Sequence, residues 1–123
     1  MAGILLVEDN AEFASAACRE LETAGHTVFG AAGSLDALEV LDQHQNVIGL
    51  VVIDIVLQDN EPNGIALARA VRRKNPEMPV ILMTAYPDEI KKKVRTPGLV
   101  LLKPFELSML TKAVDVCLGS QSR

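Results

Sequence analysis

The chain has 123 residues, 49% of them hydrophobic and 23% charged, with a formal net charge of -4. That length suits one domain burying roughly two-thirds of the surface its unfolded chain exposes, and the composition excludes a disordered segment or a fibrous repeat. The negative charge excludes a general phosphate-backbone binder, so direct contact with nucleic acid is not expected.

Ile4-Leu5-Leu6-Val7 is a continuous apolar run stopped by Glu8 and Asp9. It has no basic lead and is too short for a secretory signal, and it suits a strand buried on both faces. From Ala11 the period changes: Phe13, Ala17, Leu21 and Ala24 recur at helical spacing between an entry at Asn10 and a C-terminal cap at Gly25. His26 to Ala31 reads as a short strand, and Ser34 as the cap of a second helix whose Leu35, Leu38 and Leu41 share one stripe. Leu50 to Ile53 is the most apolar strand. The stretch around it, Val47 to Leu57, is interrupted by Asp54 and cannot span a bilayer, so no membrane is expected and the cytoplasm is the expected compartment.

After a polar loop from Gln58 to Asn63, Gly64 to Lys74 is helical, with Ile65, Ala68 and Val71 or Arg72 on its buried face, and Pro76 and Pro79 close it. Val80 to Met83 and Leu99 to Leu102 are the fourth and fifth strands, with the charged segment Asp88 to Arg95 between them. The last helix carries Leu107, Leu110, Val114, Cys117 and Leu118. Strands alternating with helices in this way predict a single doubly wound α/β domain over residues 1–123: a five-stranded parallel sheet with helices on both faces. Cys18 and Cys117 lie in apolar helical patterns and read as reduced core residues. His26 and His44 lack a second ligand at metal spacing and are assigned no role.

In such sheets ligands bind outside the carboxyl ends of the strands, near the point where strand order reverses. The first strand ends in Glu8-Asp9, the third in Asp54, the fourth in Thr84 and the fifth in Lys103. Clustered carboxylates repel by roughly 4 kcal/mol for a pair about 4 Å apart at an effective dielectric of about 20. A divalent cation removes that repulsion, and an all-oxygen set suits a hard ion such as Mg²⁺ better than zinc. An unpaired Asp54 inside its apolar strand would be expensive to bury without a partner or a purpose.

Glu8-Asp9, Asp54, Thr84-Ala85 and Lys103-Pro104-Phe105, in that order and each at a strand end, resemble the response-regulator receiver family over the whole chain. The resemblance implies a flavodoxin-like fold with strand order 2-1-3-4-5 and phosphoryl transfer from a histidine kinase or phosphotransfer protein. It makes Asp54 the nucleophile and a metal ligand, with Asp9 binding Mg²⁺ directly, Glu8 acting mainly through water, and the Val56 carbonyl adding a further ligand. Lys103 would pair with Asp54 before transfer and with the phosphate after, the Thr84 hydroxyl would donate to the phosphate, and the Lys103-Pro104 peptide is expected to be cis. The chain would then be a phosphoacceptor that catalyses its own phosphorylation and dephosphorylation, not an enzyme acting on another substrate. Its expected partners include an output protein or domain and a phosphorylation-dependent dimer. Ending at Arg123 just past the last helix, it reads as a stand-alone regulator or a piece of a larger protein.

Some positions depart from the family pattern. The loop between Asp54 and Gly64 is long, with Gln58-Asp59 where a proline is common, and Val100 stands where receivers usually carry a switching aromatic. The stretch from Thr84 to Lys103 is short, with Pro87 and Pro97 bracketing it, which predicts a brief or mobile fourth helix as the least ordered element. Val56 and Tyr86 occupy the positions that tune water access to the acyl phosphate, and neither orients water well, which predicts a long-lived phosphorylated state. Two alternatives share the architecture. An Asp-nucleophile phosphatase of the haloacid dehalogenase type needs a second Asp where Val56 stands. A flavodoxin-like nucleotide binder needs a Gly- or Ser/Thr-rich phosphate loop where Glu8-Asp9 stand.

Overall fold

A computed structural model describes residues 3–56, 63–85 and 98–119. The strands are β1 (Gly3–Val7), β2 (Thr27–Ala31), β3 (Ile48–Asp54), β4 (Val80–Thr84) and β5 (Leu99–Leu102). Among the described residues the helices are α1 (Ala11–Thr23), α2 (Ser34–Gln43), α3 (Asn63–Lys74) and α4 (Leu107–Gly119). All strand pairs are parallel and the order is β2-β1-β3-β4-β5, as the family resemblance implied. No helix among the described residues is long and apolar enough to cross a membrane.

The unbroken apolar runs have a simple cause. Successive side chains of a strand point to opposite faces, and both faces of this sheet are covered. Leu5, Val7, Val51, Ile53, Val80 and Leu82 pack with Ala37 and Leu41 of α2 and Ile65, Ala68 and Val71 of α3. Ile4, Leu6, Leu50, Val52, Ile81 and Met83 pack with Ala17 and Leu21 of α1 and Leu110, Ala113 and Val114 of α4. Ile65 and Ala68 are buried on α3 as expected; of the alternatives Val71 and Arg72, Val71 is the buried one, and Leu67 joins them.

The helix ends follow their capping chemistry in part. The Asn10 side chain accepts from the Phe13 N–H at the start of α1. Gly25 takes φ 101 just past its end, a left-handed conformation that suits glycine. At α2 the expectation needs correcting. Gly33, in extended backbone, is the N-cap and makes no side-chain hydrogen bond, while Ser34 lies within the first turn and its buried hydroxyl has no partner among the described residues. Leu35 is 83% exposed and Leu38 only borders the core. At about 100° per residue, Leu35 lies on the far side of the helix from Ala37, so the buried face runs through Ala37 and Leu41. Cys18 and Cys117 are free, as expected, but both are only half-buried, and Cys117 packs against the core rather than within it. The expectation of a poorly ordered helix between Pro87 and Pro97, and the loop departures at Gln58-Asp59, fall outside the described residues.

Strand register brings the chemistry to one edge. Val7 pairs with Ile53, so Glu8 and Asp54 follow at the same level of the sheet. Asp54 pairs with Met83, which places Thr84 one residue beyond. Thr84 pairs with Leu102, and its carbonyl accepts the Lys103 N–H at 2.7 Å. β1 has β2 on one side and β3 on the other, so this edge includes the point where strand order reverses.

Candidate functional site

Asp54 and Glu8 are 7% and 4% exposed at the ends of their strands. The Lys103 ammonium bridges them, donating to Glu8 Oε1 at 2.8 Å and to Asp54 Oδ2 at 3.1 Å. The other oxygen of each carboxylate is held by backbone: Asn10 N–H donates to Glu8 Oε2 at 3.1 Å, and Val56 N–H donates to Asp54 Oδ1 at 3.1 Å. Charge-assisted bonds of this kind fix the carboxylate planes more firmly than neutral ones would. The Lys103-Pro104 peptide is cis, as expected. Thr84 is fully buried at the same edge.

Asp9 completes a trio. One carboxylate oxygen from each of Glu8, Asp9 and Asp54 lies within 4.8 Å of the others. Lys103 offsets one of the three negative charges, which leaves a deficit that a divalent cation matches. The donor set contains only oxygens, the ligand type that Mg²⁺ prefers. The residues therefore fit a hard divalent cation.

Electrostatics record the crowding. Burial pushes the Glu8 carboxyl above its ordinary value, and the Asp54 charge adds to the shift, while Lys103 and the Asn10 N–H only partly oppose it. Burial pushes the Lys103 ammonium down. Its hydrogen bonds to Glu8 and Asp54 and the attraction of both carboxylates outweigh this, so it ends above the ordinary lysine value.

Sequence reasoning singled out Glu8, Asp9, Asp54, Thr84 and Lys103, and all lie at this edge; Val56 contributes through its backbone N–H. It missed Phe13. Read from its spacing as a core residue of the first helix, Phe13 does pack against the core, and its ring centroid also lies 4.4 Å from Lys103 Nζ. It also missed Gly64 at the start of α3, where a Cβ would overlap the backbone of Asp54 and Ile55. Only glycine lets α3 approach the end of β3 this closely, and a glycine just after a polar loop was the available signal.

Residues 4–115 match the family described as the response regulator receiver domain, and the chain belongs to that family. Over 123 residues it is 30% identical to the Sensor kinase CckA of Brucella abortus (strain 2308), covering 98% of this chain and 13% of that protein. It is 29% identical over 117 residues to the Transcriptional regulatory protein GlrR of Escherichia coli (strain K12), covering 93% of this chain and 26% of the relative. The chain thus spans a minor part of the length of both. Among solved structures, it resembles the receiver domain from Hybrid Histidine Kinase CckA with TM-score 0.79 and 26% identity, over 95% of this chain and 99% of that one. A two-component response regulator from Clostridium difficile shares the fold with TM-score 0.86 at 21% identity, over 100% of both chains. The chain is a two-component receiver, and family membership favours neither the phosphatase nor the nucleotide-binding alternative.

Proposed function

We propose that this chain accepts a phosphoryl group on Asp54 from a histidine kinase or phosphotransfer protein and passes the signal on by a conformational change. One observation carries the reading: a single lysine ammonium bridges two nearly buried carboxylates from different strands, beside a third carboxylate within metal-binding distance. Glu8, Asp9 and Asp54, with the Val56 carbonyl oxygen, would hold Mg²⁺, which when bound neutralises charge on the carboxylates and on the transferring group.

The chain's own residues position and neutralise, which is most of what phosphoryl transfer asks of a protein. An Asp54 oxygen attacks phosphorus, the phosphorus–nitrogen bond of a phosphohistidine breaks, and the imidazole nitrogen keeps the bonding pair. Val56 N–H holds the Asp54 carboxylate in one orientation as it reacts. Lys103 moves its hydrogen bond from Asp54 to a phosphate oxygen, and the Thr84 hydroxyl donates to another, drawing the end of β4 toward the new charge. The chain acts on itself in this reading. It forms one domain over residues 1–123, works in the cytoplasm, and passes its signal to an output protein or domain or to a second copy of itself on phosphorylation.

The test is labelling by a small phosphodonor in Mg²⁺, compared between wild type and Asp54→Asn. The expected result is stoichiometric, Mg²⁺-dependent labelling of the wild type and none of the variant. Equal labelling of both, or sustained hydrolysis of a generic phosphate ester by the wild type, overturns the reading.

A further inference from the structure

Lys103 has to leave one anion for another during transfer, yet it sits on a flexible four-carbon stem. An ammonium carries three donors, and here it donates to Glu8 Oε1 and Asp54 Oδ2 while lying 4.4 Å from the centroid of the Phe13 ring. That distance is inside the roughly 6 Å limit for attraction between a cation and an aromatic face.

The ring is itself gripped. Phe13 lies in the first turn of α1, where its N–H donates to Asn10 Oδ1 at 3.0 Å. Its ring meets that of Phe105 edge to face, with centroids 5.9 Å apart and planes at 89°. Phe105 follows Lys103 by two residues, so one short segment touches Phe13 with both an ammonium and an aromatic ring. Both phenylalanines pack against the core on the α1 and α4 side of the sheet.

We propose that Phe13 is a positioning residue for Lys103: its ring face holds the ammonium in the fork between Glu8 and Asp54, ready to meet the incoming phosphoryl group. The inference rests on the phosphoacceptor reading of Asp54 and names a residue outside the carboxylates, the lysine and the hydroxyl. An aromatic face suits the task because it attracts a cation without adding a fourth negative charge to a site that already holds three carboxylates. It also keeps its attraction while the partner of the ammonium changes from carboxylate to phosphate. A carboxylate in its place would compete with the phosphate for the lysine.

Two measurements test this. In the unphosphorylated protein, the ring current of Phe13 should shift the Lys103 side-chain NMR signals upfield, and Phe13→Leu should return them to ordinary lysine positions. Signals at ordinary positions in the wild type overturn the proposal whatever the phosphorylation chemistry turns out to be. The second measurement is the initial rate of labelling by a small phosphodonor in Mg²⁺. Phe13→Leu should slow it about 3- to 30-fold, the range of contacts of this class, while Phe13→Trp should retain the wild-type rate. Stepwise fluorination of the Phe13 ring weakens its face and leaves its shape almost unchanged, so it separates attraction from packing even where Phe13→Leu folds poorly. A rate that falls with each added fluorine supports the proposal; a constant rate overturns it. If the wild type takes no label at all, the phosphoacceptor reading has failed instead.

Discussion

The two ends of the sheet are built on different principles. At the carboxyl end, side chains far apart in sequence bond to one another: Lys103 reaches Glu8 and Asp54, and three carboxylates crowd together. At the amino end, the contacts are between backbones. Gly3 N–H donates to the Val47 carbonyl at 3.2 Å, and Val51 N–H donates to the Pro79 carbonyl at 3.1 Å. Small or apolar residues such as Gly3, Ile48 and Met78 close that end. One end concentrates like charge beyond what folding needs. The other, at Gly3, is packed until even a methyl group has no room. Substitutions at the first should therefore change chemistry, and at the second stability.

The largest expected effect is at Lys103. Lys103→Met should slow labelling by a small phosphodonor on the order of 100-fold, the loss typical when one donor aimed at developing charge is removed. A rate within threefold of wild type would remove the lysine from the reaction and break the contrast between the ends.

Gly3→Ala is the converse. A Cβ there would lie 2.6 Å from the Val47 carbonyl oxygen and 2.9 Å from its Cγ1. Unfolding by urea should show a loss of about 1–3 kcal/mol, while the labelling rate of the folded protein stays within twofold of wild type. A variant that folds as well as the wild type but labels slowly would mean that the amino end takes part in the chemistry.

Glu8 predicts a pH dependence. Its carboxyl holds a proton more tightly folded than unfolded, because burial and the Asp54 charge raise it above its ordinary value of 4.5. The stability this contributes is fully present below that ordinary value and is lost as pH rises through the raised one. In metal-free buffer, the wild type should therefore lose stability relative to Glu8→Gln as pH rises through this window, and Mg²⁺ should shrink the difference because it favours the ionised carboxylate. Parallel curves for the two proteins would contradict the crowding described at this end.

The receiver resemblance sharpens the contrast at Val56, which is 38% exposed beside Asp54. An apolar side chain cannot orient a hydrolytic water, so Val56→Asn should shorten the lifetime of the phosphorylated state several-fold, as read by the decay of label. An unchanged decay would assign the lifetime to another position. The smallest effect is expected at Leu35, 83% exposed, where Leu35→Ala should change unfolding free energy by less than about 0.5 kcal/mol. Leu41→Ala should lose about 2–4 kcal/mol.

That last pair shows what can be read from the chain alone. The strands were legible because a sheet covered on both faces needs unbroken apolar runs, and polar residues can enter only where those runs end. Glu8, Asp54, Thr84 and Lys103 were found by reading the last position of each run. Helix faces were less legible. Leu35, Leu38 and Leu41 fit helical spacing, but which arc of α2 faces the sheet depends on tertiary packing, and the small Ala37 took the place assigned to Leu35. Phe13 escaped notice for a related reason. Its spacing marks it as core, and nothing local shows that a lysine 90 residues further along the chain comes to rest over its ring. The backbone N–H groups of Asn10 and Val56 that steady the two carboxylates leave no trace in residue identity.

The most direct measurement is chemical mapping of the phosphoryl bond. The protein is treated with a small phosphodonor in Mg²⁺ and then with borohydride, which reduces an acyl phosphate of aspartate to homoserine, and the modified residue is located by peptide mass spectrometry. The account predicts homoserine at position 54 alone, with none formed when Mg²⁺ is withheld. Homoserine at another aspartate, or label on a side chain that borohydride leaves unreduced, would contradict it.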